Sequence, residues 1–277
     1  MRLWHLRGLW HGRSRYRLCQ AWGACRRGRV GQVTLPLILL PGMMCDARLF
    51  GPQINALSPD RPVGVVDMIG ADTVSGLASR VLDQAPPRFA LAGLSMGGIV
   101  AMEVVRQAAQ RVVGLALMDT NPLAEADTVR ARRGPQMARA CSGRLFDVMR
   151  DEMKPNYLAR GPERQNVLDL CMEMAMDLGP EVFCAQSIAL RDRPDQTEVL
   201  RRYTGPSLVL CGREDGLCPL SRHELMHGLL PRSSLVVIDG AGHLPCLEKP
   251  AETTRALRDW LKESDHEYRT SDPAEIG

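Results

Sequence analysis

Ser95, Asp215 and His243 are the residue types that acyl-transfer chemistry uses, and each follows a run of apolar residues. Ser95 lies in Gly93-Leu94-Ser95-Met96-Gly97-Gly98, between Phe89-Ala90-Leu91-Ala92 and Ile99-Val100-Ala101-Met102. That order predicts a strand, a sharp turn and a helix. Glycines two residues either side of the serine remove side chains that would collide across such a turn, and the following helix offers free N–H groups that favour negative charge. Asp215 comes after Ser207-Leu208-Val209-Leu210, and His243 sits in Gly240-Ala241-Gly242-His243 after Leu235-Val236-Val237-Ile238. A serine hydroxyl is a weak nucleophile at neutral pH and needs a base. A histidine can take its proton and return it to the leaving group, while a carboxylate fixes the imidazole tautomer.

A serine, an acid and a histidine in that order, each at the end of a predicted strand, resemble the α/β-hydrolase superfamily over about residues 34–262. The resemblance implies a mostly parallel, doubly wound α/β sheet with an inserted helical cap, between the sixth and seventh strands of that fold. It implies Ser95 as nucleophile, Asp215 as acid and His243 as base. The oxyanion of the tetrahedral intermediate needs donors. By the resemblance these are the backbone N–H of Met96 and, in the turn Pro41-Gly42-Met43-Met44, that of Met43. The family's usual His-Gly turn is only partly matched there. Two other acids compete with Asp215: its neighbour Glu214, and Asp119 at the end of Val112–Met118, where some members of the superfamily carry theirs.

The elements that must hold these residues are legible from apolar runs. Leu35–Leu40 is too short for a helix and suits a strand buried on both faces. Val63–Asp67, Phe89–Gly93, Val112–Met118, Ser207–Cys211 and Ser234–Ile238 are the next predicted strands. Helical patterns lie around Val74–Leu82, Gly98–Gln110, Leu220–Leu229 and Ala251–Lys262. Strands alternating with helices predict a parallel sheet covered on both sides. Strand signals stop between Asn121 and Tyr203, where Met137, Met149, Met153, Met172, Met174 and Met176 stand in helical context. Methionine adapts to irregular apolar surfaces, so these residues suit either a pocket wall or the packing beneath it. The expected organisation is a hydrolase core over 33–121 and 204–262, a cap over 122–203, an extension over 1–32 and a disordered tail over 263–277.

Composition narrows the class. The chain has 277 residues, 45% of them hydrophobic, enough for a full core. Nine scattered cysteines without a C-x-x-C pair read as reduced thiols in a cytoplasmic chain. No segment approaches the roughly 18 uninterrupted apolar residues of a membrane span. Residues 1–29 hold eight arginines and no acid, so with a whole-chain charge of +3 the remainder carries −5. The body thus has no basic footprint for nucleic acid. The Arg-rich extension reads as a disordered tail or a mis-assigned start foreign to the catalytic body, with a transit peptide as the alternative.

One further motif, His223-Glu224-Leu225-Met226-His227, matches the zinc-protease helix H-E-x-x-H. A third ligand is required, and positions 230 and 233 are Leu and Ser where Gly and His would continue one such motif; Glu248 lies beyond another predicted strand. These residues are read as a solvated helix face. The expected function is hydrolysis of an ester or related acyl bond of a small molecule through an acyl-serine, without metal or organic cofactor. Serine at the nucleophile position excludes dehalogenase chemistry, which needs aspartate. Carbon–carbon hydrolysis, perhydrolysis and thioester hydrolysis use the same three residues and stay open as alternatives, as do a non-catalytic binding scaffold and a zinc protease.

Overall fold

In a computed structural model, residues 34–271 are described; the expectations for the extension 1–32 lie outside them. Six strands form one parallel sheet: β1 (Leu37–Leu40), β2 (Val63–Val65), β3 (Phe89–Leu94), β4 (Val112–Met118), β5 (Ser207–Gly212) and β6 (Ser233–Ile238). Their spatial order is β2-β1-β3-β4-β5-β6. The chain therefore reverses its direction of travel across the sheet between β1 and β3, and the crevice outside the carboxyl ends of such a pair is where open α/β sheets bind ligands.

The apolar runs explain why the sheet is buried on both faces. Alternate residues of one strand point to opposite sides. Ile38, Leu40, Leu91, Leu115 and Val209 join one core with Val81, Val100 and Met226. Leu37, Leu39, Ala90, Ala116 and Leu208 join the other with Leu57, Leu257 and Trp260. The helices that cover these faces are α1 (Gly51–Leu57), α2 (Val74–Gln84), α3 (Met96–Ala108), the cap helices α4 (Asp127–Arg139), α5 (Leu145–Val148), α6 (Arg164–Arg191) and α7 (Thr197–Arg202), then α8 (Leu220–Leu229), α9 (Pro245–Glu248) and α10 (Pro250–Ser271). Among the described residues no helix is long and apolar enough to cross a membrane.

The cap segment falls between β4 and β5, over the stretch where strand signals stop in the sequence. One expectation needs correction. The chain after Lys262 does not become disordered at Glu263, because α10 continues to Ser271. Ser264 packs against Gly114, where an added Cβ would lie 2.1 Å from the Ser264 hydroxyl. The next residue, Asp265, accepts from Arg61 Nη2 at 2.9 Å and from the Leu35 N–H at 3.0 Å. Those polar anchors extend the helix beyond its last apolar stripe residue. The cap methionines, finally, serve mostly as packing. Met149 and Met174 are buried and Met176 is exposed, while Met153 alone of the six lines the cavity described below.

Candidate active site

The turn after β3 is built by exclusion. A Cβ on Gly93 would lie 2.3 Å from the Gly97 carbonyl oxygen, and one on Gly97 would lie 2.0 Å from the Leu40 carbonyl oxygen. Only glycine lets β3, the first turn of α3 and the end of β1 approach so closely. Between them Ser95 is held at φ 55°, ψ −116°, a conformation that L-residues seldom adopt. Its N–H donates to Met118 O at 2.9 Å, and its carbonyl accepts from Thr120 Oγ1 at 2.7 Å. The side chain is thereby turned out of the sheet into a cavity of about 440 Å³.

His243 reaches the same point from the loop after β6. Its Nε2 is 2.9 Å from Ser95 Oγ, and its Nδ1 is 2.8 Å from Asp215 Oδ2. A carboxylate only accepts, so the proton between the latter pair belongs to Nδ1 and Nε2 is left to accept from the serine hydroxyl. The loop is fastened on both sides of the imidazole. The His243 N–H donates to Tyr157 O at 2.6 Å. The Glu248 carboxylate accepts from the N–H groups of Gly242 at 3.0 Å, Leu244 at 3.1 Å and Ala159 at 2.8 Å. Glu248, considered above as a metal ligand, instead ties the histidine loop to the cap.

Asp215 and Asp119 are both buried but differ in their surroundings. Burial raises the Asp215 pKa, yet the net direction is downward. The imidazole of His243 and the N–H groups of Leu217 at 2.8 Å and Cys218 at 3.0 Å outweigh that burial. Asp119 accepts from the Gly212 N–H at 2.9 Å through Oδ1, while its buried Oδ2 has no partner. Burial first, and the neighbouring charge of Asp215 second, push the Asp119 carboxyl well above the usual carboxylate range. Of the two acids, Asp215 is the one bonded to the histidine. Glu214 is exposed.

Gly42 brings the turn after β1 against the nucleophile, where an added Cβ would lie 3.5 Å from Ser95 Cβ. The Met44 N–H is committed to Gln186 Oε1 at 2.9 Å. Met43 and Met96 both line the cavity with Ser95, and among the described residues neither of their N–H groups has a hydrogen-bond partner. These are the two donors expected from the sequence, on turns leaving adjacent strands.

His223 is not on a solvated face. It is fully buried, its Nε2 accepts from the Thr120 N–H at 3.2 Å, and burial lowers its pKa to about 4. The signal was its spacing, since His223, Met226 and Leu230 share one side of α8 and its exit. His227 bonds Ser233 Oγ at 2.8 Å instead. Among the described residues the one group with metal-ligand spacing is Asp215, Cys218 and His243, which leaves out both imidazoles of α8. Ester hydrolysis is therefore expected to be unchanged by EDTA. Stoichiometric zinc by elemental analysis, lost together with activity, would restore the H-E-x-x-H reading.

The sequence profile of the alpha/beta hydrolase family matches residues 3–256. The chain is 28% identical over 242 residues to a pimeloyl-[acyl-carrier protein] methyl ester esterase of Klebsiella pneumoniae, covering 80% of this chain and 91% of that one. It is 27% identical to the enzyme of the same name from Photobacterium profundum, over 82% of this chain and 94% of the other. Among solved structures it resembles a thermophilic esterase from Thermogutta terrifontis, with a TM-score of 0.76, 28% identity and coverage of 84% and 92%. An enol-lactonase from Burkholderia xenovorans, at 20% identity, shares the fold with the same TM-score, over 85% of this chain and 94% of that one.

Proposed function

Because this chain belongs to the alpha/beta hydrolase family, we propose that Ser95, His243 and Asp215 are the nucleophile, base and orienting acid with which it hydrolyses esters. The observation that carries the reading is the continuous chain of contacts, 2.9 Å from Ser95 Oγ to His243 Nε2 and 2.8 Å from Nδ1 to Asp215, at the wall of one cavity.

Ser95 Oγ attacks the ester carbonyl carbon as its proton passes to His243 Nε2. The carbonyl oxygen takes up the displaced electron pair and is held by the N–H groups of Met43 and Met96. Asp215, kept ionised by its three donors, steadies the imidazolium. Collapse of the intermediate expels the alcohol, which receives the proton from Nε2 and leaves an acyl-serine. Water, deprotonated by the same nitrogen, attacks that acyl group, and the carboxylic acid departs as the Ser95 hydroxyl is regenerated. No step calls on a metal or an organic cofactor.

The substrate is a small molecule, since a cavity of this size holds one acyl chain and its alcohol. Free cysteines such as Cys45, Cys171, Cys211 and Cys246 favour a reducing compartment, hence the cytoplasm. The test is a panel of p-nitrophenyl and methyl esters of increasing acyl length, the latter included because of the relatives' names. The expected result is turnover together with fluorophosphonate labelling at Ser95. Labelling elsewhere, or none, would reject the assignment.

A further inference from the structure

We propose that the substrate carries an anionic group, and that Arg133 and Arg193 bind it inside the active-site cavity. The proposal rests on the ester-hydrolase reading above and names the class of ester.

Two arginines and one glutamate of the cap are almost fully withdrawn from solvent. The side chains of Arg133, Arg193 and Glu125 are 9%, 7% and 5% exposed. Glu125 Oε2 accepts from Arg133 Nη2 at 2.6 Å and Nε at 3.0 Å, and Glu125 Oε1 pairs with Arg193 Nη1 at 2.9 Å. One carboxylate thus balances two guanidinium groups, and the cluster keeps one positive charge. Burying an uncompensated charge is strongly unfavourable. Burial first, and the charge of Arg133 among the further causes, push the Arg193 pKa down despite its pairing with Glu125.

All three residues line the cavity that holds Ser95. Arg193 also donates through Nε to Leu123 O at 2.9 Å, which is enough to explain it as a cap anchor. Arg133 is different. Its Nη1 faces the Met43 sulfur at 3.6 Å, and a thioether is a weak acceptor for a charged donor. Met43 is the residue whose N–H is proposed to hold the oxyanion. The Nη1 end of Arg133, met only by that weak acceptor, thus lies against the side chain of an oxyanion-turn residue, in the cavity that Ser95 also lines. The rest of the lining does not supply the missing charge. Arg132 and Arg222 add to the positive side, and the other acid, Glu152, is bonded to Arg139 and to Gln136 Nε2 at 3.0 Å.

A carboxylate fits this site because it presents two acceptors to a planar guanidinium and restores neutrality to the buried cluster. The inferred substrates are half-esters of dicarboxylic acids, or esters with an equivalent anionic group within a few bonds of the scissile carbonyl. A neutral diester of the same shape would leave the charge uncompensated.

The test is calorimetric titration of the full-length Ser95→Ala protein with the monomethyl and dimethyl esters of succinate, glutarate, adipate and pimelate. Binding reads the arginines whether or not Ser95 is the nucleophile, so failure here is separable from failure of wild-type hydrolysis. For at least one chain length the half-ester should bind about tenfold or more tightly than its diester, as a charge-assisted hydrogen bond warrants. Adding Arg133→Met should abolish that preference while diester affinity stays within about twofold. That substitution leaves Glu125 and Arg193 as a neutral pair, so the cap should keep its fold. Equal or tighter binding of every diester, or a half-ester preference that survives Arg133→Met, would overturn the proposal. If the Arg133 variant does not fold, Arg193→Met in the Ser95→Ala background, which leaves Glu125 and Arg133 as the neutral pair, should remove the preference in the same way, and a preference that survives it would overturn the proposal.

Discussion

Ser95→Ala is expected to abolish ester hydrolysis while leaving the fold and its melting temperature essentially unchanged. Alanine lacks only Oγ, and the backbone at φ 55°, ψ −116° is no more strained for alanine than for serine. The contacts that hold the turn are made by the Ser95 main chain to Met118 and Thr120, not by the hydroxyl. What disappears is the nucleophile itself and the 2.9 Å contact with His243. In a serine protease the equivalent loss lowers kcat by about 2 × 10⁶, the residue coming from the oxyanion donors and binding. Steady-state kcat/KM with a p-nitrophenyl ester, set beside a thermal melt, checks both halves. More than about one per cent of the wild-type rate in a pure, folded variant would mean another group attacks the carbonyl.

The nucleophile turn was readable because its geometry is achievable by few residues. The close approaches at Gly93 and Gly97 admit no side chain, so the spacing of the glycines in the sequence already contains the contact. Asp215 and His243 were readable for a related reason, since each stands in the loop that leaves an apolar run, and a parallel sheet gathers all such strand ends along one edge. The choice between Asp215 and Asp119 was less secure. Both follow strands, β5 and β4, which are neighbours in the sheet, and only the contact with Nδ1 separates them.

The arginine cluster was invisible for a physical reason. Glu125, Arg133 and Arg193 are charged residues in a polar stretch, and their types predict exposure. Their burial depends on how α4 and the end of α6 fold over the strand ends, which no local periodicity encodes. The same holds for Glu248, whose three N–H donors come from two segments far apart in sequence. His223 is a different case. Its polar type predicts exposure, whereas its spacing to Met226 puts it on the apolar side of α8, and burial follows the spacing.

Asp215→Asn and Asp119→Asn should separate by orders of magnitude. Asn at 215 keeps the size of the side chain but removes the charge, and its amide group can present a donor toward Nδ1. The histidine then loses the partner that keeps its proton on Nδ1 and its Nε2 free for Ser95. In serine proteases the same change lowers kcat about 10⁴-fold, and a loss of several orders of magnitude is expected here. The second position predicts the reverse. The Asp119 carboxyl is pushed well above its ordinary range by burial and by Asp215, a direction that favours the uncharged acid. Asparagine is close to a neutral aspartic acid in shape. Its Oδ1 can keep the 2.9 Å bond from the Gly212 N–H, and its amide brings donors where the unpartnered Oδ2 now lies. Asp119→Asn should therefore keep its rate within about tenfold of wild type, well short of the loss that removing a triad charge brings. Asp119→Leu, which cannot accept from Gly212, should lose more and melt earlier, by the roughly 1–3 kcal/mol of a buried unpaired donor. Rates and melts of the three variants decide the matter. An inactive Asp119→Asn beside a nearly normal Asp215→Asn would move the orienting acid to β4, while leaving Ser95 and His243 in place.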